Sequence, residues 1–181
     1  MELHEDRIGG REIFHGRVVN LKVDDVRLMD GSNSIREVVE HPGGVCVAAL
    51  NDRDEVYLVR QYRYPFRTVL LELPAGKLEP GEVPLEAAKR EQWEETGTRS
   101  DRYRSLGRCY ATPGYCTEQV HLWACRVTET GAQHLDPGEF LELEAVPLER
   151  AAELVLEGEI PDAKTQVGIL KTWALVKAGE L

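Results

Sequence analysis

From Arg11 to His41 the chain reads REIFHGRVVNLKVDDVRLMDGSNSIREVVEH, with apolar and polar residues alternating until Asp30–Ser34 interrupts them. A period of two is that of half-buried strands, so the stretch predicts antiparallel strands around a turn, a small β extension over residues 1–41. His41-Pro42-Gly43-Gly44 ends the alternation. The runs VCVAAL and EVYLVRQY follow as two strands joined at Asn51–Glu55, and VLLELPAG as a further short strand running into a loop. In PLEAAKREQWEET good helix formers dominate, Pro84 sits in the first turn and Gly97 lies just past the end, which predicts a helix. Strand patterns return in RYRSLGRCYA, EQVHLWACRV and LELEAV, with an acidic loop, HLDPGEF, before the last. Helical patterns close the chain in PLERAAELVLEG and AKTQVGILKTWALVKAG. Strands mixed with helices predict a layered α/β domain over residues 42–181. No internal repeat or low-complexity tract is present.

Composition narrows this picture. A chain of 181 residues, 42% hydrophobic, holds one core of ordinary size and a small extension. No apolar run approaches the ~20 residues of a membrane span, and MELHEDRIGG lacks a secretory signal, so a cytoplasmic protein without a membrane partner is expected. A formal charge of -10 argues against nucleic-acid binding, and points to metal ions or to small anions held through a metal. Cys46, Cys109, Cys116 and Cys125 form no CxxC and have no histidines at zinc-like spacing, so unbridged thiols are expected.

The chemistry concentrates in Arg90–Gly97, REQWEETG. Residues three and four apart share a helix face, so Glu91, Glu94 and Glu95 should project together, against their mutual repulsion. Two readings of this face stay open. A solvated face tolerates such repulsion at a few tenths of a kcal/mol per pair. Alternatively, the carboxylates hold Mg²⁺, a hard cation that bridges acidic side chains to substrate phosphates.

The wider spacing, Gly76-x5-Glu82-x7-Arg90-Glu91-x2-Glu94-Glu95-x-Gly97, resembles the signature of the Nudix hydrolases. That resemblance implies a Nudix α/β/α sandwich with a mixed sheet. VRQYR, LELPAG, TPGYCTE and LDPGEFLELE extend the likeness, over Arg11–Trp173, to the ADP-ribose pyrophosphatase group. Gln92 and Thr98 depart from the pattern, standing where the family has aliphatic residues. On the inward helix face an unpartnered Gln92 amide would cost about 1 to 3 kcal/mol, so a partner is expected.

By resemblance, the chain should hydrolyse the pyrophosphate bond of ADP-ribose to AMP and ribose 5-phosphate with Mg²⁺, or Mn²⁺ in its place. The metal would be held by Glu91, Glu95, Glu94, Glu82 and the carbonyl of Ala75, with Arg90 pairing Glu94 four residues on. Periodicity puts Glu82 off this face, so its expected contact comes from the helix start or loop. Gly76 would let the backbone come close, although a plain turn glycine fits equally. Glu139, bracketed by Pro137-Gly138, is the expected proton acceptor, whereas Glu142 and Glu144 fit an alternating strand. Arg63 would touch the diphosphate, while Arg60 alternates to the opposite face. Pro113, sixteen positions past Gly97, and Gly114 are the expected substrate contacts in TPGY. Tyr115 stands close to a tyrosine diagnostic of dinucleoside polyphosphate hydrolases. Glu72 and Glu118 match motif positions but receive no role. The β extension resembles a strand-exchanging arm, which implies a homodimer. Competing readings are a GDP-mannose or other nucleotide-sugar pyrophosphatase, a dinucleoside polyphosphate hydrolase, a silent nucleotide sensor and an acidic metal buffer.

Overall fold

A computed structural model describes residues 3–181 and divides them into two compact units, one of residues up to Gly43 with Tyr110–Gln119, the other of Gly44–Cys109 with Val120–Leu181. In the first unit β1 (Asp6–His15), β2 (Asn20–Arg27) and β3 (Asn33–Glu40) form an antiparallel sheet in that order. The alternation did predict antiparallel strands, but it concealed a second reversal. Gly16 N–H donates to Val19 O at 3.0 Å, and the apolar Val18 and Val19 mask that turn in the pattern. The loop Tyr110–Gln119 joins this unit through Val39, whose N–H donates to Tyr115 O and whose carbonyl accepts from Thr117 N–H.

The second unit is built on β4 (Gly44–Leu50), β5 (Glu55–Arg63), β6 (Thr68–Glu72), β7 (Ala75–Lys77), α1 (Pro84–Thr96), β8 (Thr98–Arg99), β9 (Tyr103–Cys109), β10 (Val120–Arg126), β11 (Glu129–Thr130), β12 (Leu141–Pro147), α2 (Leu148–Leu156) and α3 (Ala163–Lys177). Its main sheet runs β12-β5-β4-β10-β9, with β6 paired to β5 and β7 to β4; β4 and β10 are parallel and the other pairs antiparallel. This is the expected mixed sheet. Every residue of β4 is buried, as its unbroken apolar run requires of a strand covered on both faces. Cys46, Ala48 and Leu50 pack with Leu148, Ala151, Ala152 and Ile169 of α2 and α3. On the opposite face Val45, Val47 and Ala49 pack with Ala87 and Ala88 of α1. The α/β/α layering is thus dictated by one strand.

VLLELPAG differs from its expectation, because Pro74 splits it. β6 stays on β5, the Pro74 carbonyl accepts from Val47 N–H, and β7 crosses to β4 carrying Gly76 in extended pairing. The two-residue strands β8 and β11, too short for any periodicity to reveal, pair with each other just beyond α1. All four cysteines are unbridged. No helix among the described residues is long and apolar enough to cross a membrane.

The predicted helix matches α1 in both bounds, and Gly97 caps it in the left-handed conformation, φ 63°, with its N–H on Trp93 O. Gln92, fully buried on the inward face, has the partners it requires. Its Nε2 donates to Thr98 Oγ1 at 2.9 Å, and its Oε1 accepts from Tyr103 Oη at 2.8 Å. The two departures from the family pattern therefore satisfy each other. Tyr103→Phe, which strips a buried carbonyl oxygen of its principal donor, should lower stability by about 1–3 kcal/mol in urea denaturation while leaving the fold intact. An unchanged midpoint would mean that the amide is satisfied in some other way.

Candidate active site

Helix α1 delivers Arg90, Glu91, Glu94 and Glu95 in under two turns, and Arg90 answers the repulsion among them. Its Nη1 donates to Glu91 Oε1 at 2.8 Å and to Glu94 Oε2 at 3.0 Å. Its Nε donates to Glu82 Oε1 at 3.0 Å, and its Nη2 to Glu82 Oε2 at 3.1 Å. Glu82 lies before the helix, so helical periodicity never applied to it; as expected of a loop contact, it reaches across from the preceding turn and accepts from Glu79 N–H. The Arg90 bonds hold Glu82 below the usual carboxylate range, and the guanidinium itself is raised.

Glu95 is buried in the fold. Only 2% exposed, it accepts the Ala75 N–H at 2.9 Å, which ties the helix to β7. Burial, then the charges of Glu91 and Glu139, push Glu95 up to about 8, against the lowering from Ala75 N–H and Arg63. Burial likewise raises Glu91, outweighing Arg90, and Glu94 and Glu139 add to it. Glu139, half-buried in its loop, thus contributes to the field at both carboxylates. Gly76 is essential here for space rather than for a turn. A Cβ on it would overlap the Glu91 carboxylate, and its backbone is ordinary strand.

Arg63 and Glu72 form a bidentate pair, Nε to Oε1 at 2.7 Å and Nη2 to Oε2 at 2.8 Å. Glu72 had no role from the sequence, yet it is 1% exposed and also accepts from Lys164 Nζ. Lys164 pairs in turn with Asp162, the residue that caps α3 by accepting from Thr165 N–H. Burial alone would raise Glu72, but Arg63 and Lys164 hold it low. Lys164, ninety-two positions from Glu72, was invisible to any local spacing. Arg60 lies on the opposite face, as expected, and pairs with Glu144 at 3.0 Å. Pro113, Gly114 and Tyr115 lie in the loop of the first unit. There Glu118 comes within 3.5 Å of His41 Nδ1, a contact the sequence did not reveal.

Among the described residues no three Asp, Glu, His or Cys side chains gather with metal-holding geometry. Glu82, Glu91 and Glu94 converge on Arg90, while Glu95 lies with Ala75. The donors nevertheless fit a hard divalent cation. They are all oxygens, and Glu91 adds its charge to the burial that raises Glu95, while Glu94 and Glu139 do the same to half-buried Glu91, a charge excess that a cation relieves.

The NUDIX domain model matches residues 40–165. The chain is 40% identical over 169 residues to the ADP-ribose pyrophosphatase of Bacillus subtilis, covering 92% of this chain and 91% of that one. It is 40% identical over 167 residues to the methanol dehydrogenase activator of Bacillus methanolicus, covering 91% and 90%. A crystal structure of an ADP compounds hydrolase has the same fold, with a TM-score of 0.82 over all of both chains at 20% identity. With its signature residues assembled on one loop, strand and helix and its sequence matched over most of its length, the chain belongs to the Nudix family.

Proposed function

We infer that this Nudix hydrolase cleaves the pyrophosphate bond of ADP-ribose, yielding AMP and ribose 5-phosphate, with Mg²⁺ as its metal and Mn²⁺ as a substitute. The observation that carries the reading is the buried Glu95 carboxylate beside the half-buried Glu91, both set against the strand of the Cβ-less Gly76, with the charge of Glu139 nearby. The name of the relative from B. subtilis and the Pro113-Gly114 turn support the choice of substrate.

Glu91, Glu95, Glu94 and the Ala75 carbonyl would hold the metal, and Glu82, also expected in that set, would act through the Arg90 guanidinium that grips it. When bound, a divalent cation neutralises the diphosphate and makes water a better nucleophile. Arg90 keeps Glu91 and Glu94 in place. Glu72 grips the Nε and Nη2 edge of Arg63 and leaves Nη1 for a diphosphate oxygen. Glu139 accepts the proton of the attacking water, and Pro113 and Gly114 contact the substrate. The products leave as two phosphate monoesters. Residues 42–181 are the hydrolase domain, and 1–41 the arm of a cytoplasmic homodimer. Ile8, Ile13, Phe14 and Ile35 are exposed on that arm, and a solution mass twice that of one chain checks it.

Incubation with Mg²⁺ and a panel of ADP-ribose, GDP-mannose, NADH, diadenosine polyphosphates and deoxynucleoside triphosphates should show preferential release of AMP from ADP-ribose. Preference for another member would keep the mechanism and overturn the substrate. Glu95→Gln should abolish turnover while retaining an oxygen for Ala75 N–H. A carboxylate raised in the folded state opposes folding above its unfolded pKa, so this variant should melt higher than wild type in metal-free buffer at neutral pH, and equally near about pH 3. Gly76→Ala should displace the Glu91 carboxylate and lower kcat by on the order of 100-fold, with circular dichroism unchanged.

A further inference from the structure

The last turn of α1 carries Glu94 and Glu95, and its final carbonyls have no partners within the helix. A single segment, Gly131–His134, takes them up. Gly131 N–H donates to Gly97 O at 2.6 Å, Gln133 Nε2 to Glu95 O at 2.6 Å, and His134 N–H to Glu94 O at 2.8 Å. The segment enters from β11, which is paired to β8 immediately beyond the helix cap. Its approach is close enough that a Cβ on Gly97 would overlap the Gly131 carbonyl, and one on Gly131 would lie 2.7 Å from Trp93.

Trp93 holds the segment from the side. The His134 ring stacks on it with centroids 5.6 Å apart and planes 29° apart, and the Arg99 guanidinium lies 3.9 Å from its centroid on β8. From His134 the chain runs directly into Leu135–Phe140 and then into β12, whose first residue Leu141 is fixed opposite Gln61. Glu139 is in that span, within a turn closed by its own N–H on Asp136 O at 2.9 Å.

Resting on the hydrolase reading, we propose that Gly131–His134 is a strap that sets the Glu139 loop against the metal-binding turn, with Trp93 and Gln133 as positioning residues. The same carbonyls that end the helix of Glu94 and Glu95 fix the point from which the Glu139 loop departs. One stem of the loop is thereby referenced to the carboxylates with which its acid must act, and β12 fixes the other. Trp93 and Gln133 touch neither substrate nor metal in this scheme. They act through Glu139.

The test is a cycle of Trp93→Ala and Gln133→Ala, each in the wild-type and Glu139→Gln backgrounds, assayed with ADP-ribose over a range of Mg²⁺. In the wild-type background kcat should fall by about 10–100-fold, with the half-saturating Mg²⁺ unchanged. In the Glu139→Gln background neither change should cost anything further, and Trp93→Phe should keep most of the activity. Equal losses in both backgrounds, or a shifted Mg²⁺ requirement, would overturn the proposal, because the strap would then serve only the helix. Gln133 is exposed, so its variant tests the idea even where Trp93→Ala fails to fold. Hydrogen exchange over Leu135–Phe140 needs no turnover: it should quicken in either variant, and unchanged exchange would refute the strap. An inactive wild type would sink the hydrolase reading and the catalytic role of the strap with it, whereas quickened exchange would still show the segment anchoring the loop.

Discussion

One guanidinium makes the rest of the site possible. Arg90 contacts Glu82, Glu91 and Glu94 at once, so acids that would repel in a bare helix are drawn to a common centre. Exposed ion pairs contribute little, but this one is partly buried and has three carboxylate partners; its first effect is placement rather than stability. It leaves out Glu95, whose carboxylate is tied to β7 instead. The result is a site with two kinds of acid, Glu82 held low by Arg90 while Glu91 and Glu95 are raised by burial, which is where a cation has most to offer.

The sheet supplies the second constraint. Because β4 is buried on both faces, β7 and α1 have little freedom to shift where they meet around it, and Gly76 meets Glu91 without a side chain between. Two buried polar networks near this junction are paired. Gln92, Thr98 and Tyr103 close one network beneath α1, and Arg63, Glu72, Lys164 and Asp162 close another between β5, β6 and the start of α3. Each would be expensive if left incomplete, since a buried polar group without a partner loses its hydration for nothing.

The local elements are legible in the chain itself. Composition and capping residues fixed α1 to its last residue, and continuous or alternating apolar runs located β4, β5, β10 and β12, because those patterns are set by which faces lose water. The family spacing named Glu82, Arg90, Glu91, Glu94 and Glu95, and the helix-face pair of Arg90 and Glu94 followed from a four-residue step.

Tertiary structure decided the rest. Helical phase set Glu82 apart, yet a turn returns it to Arg90, since a loop obeys no period. Glu72 has no role that spacing could give it until α3 brings Lys164 to it. Gln92 asked for a partner without naming Tyr103, and Gly131–His134 carried no pattern at all before α1 presented carbonyls for it to cover. By itself the sequence determined which side chains were available and which helix and strands would present them, because periodicity and capping are local. Which acid is neutralised, which is buried and which loop is strapped to them depends on atoms that only packing brings within hydrogen-bond reach.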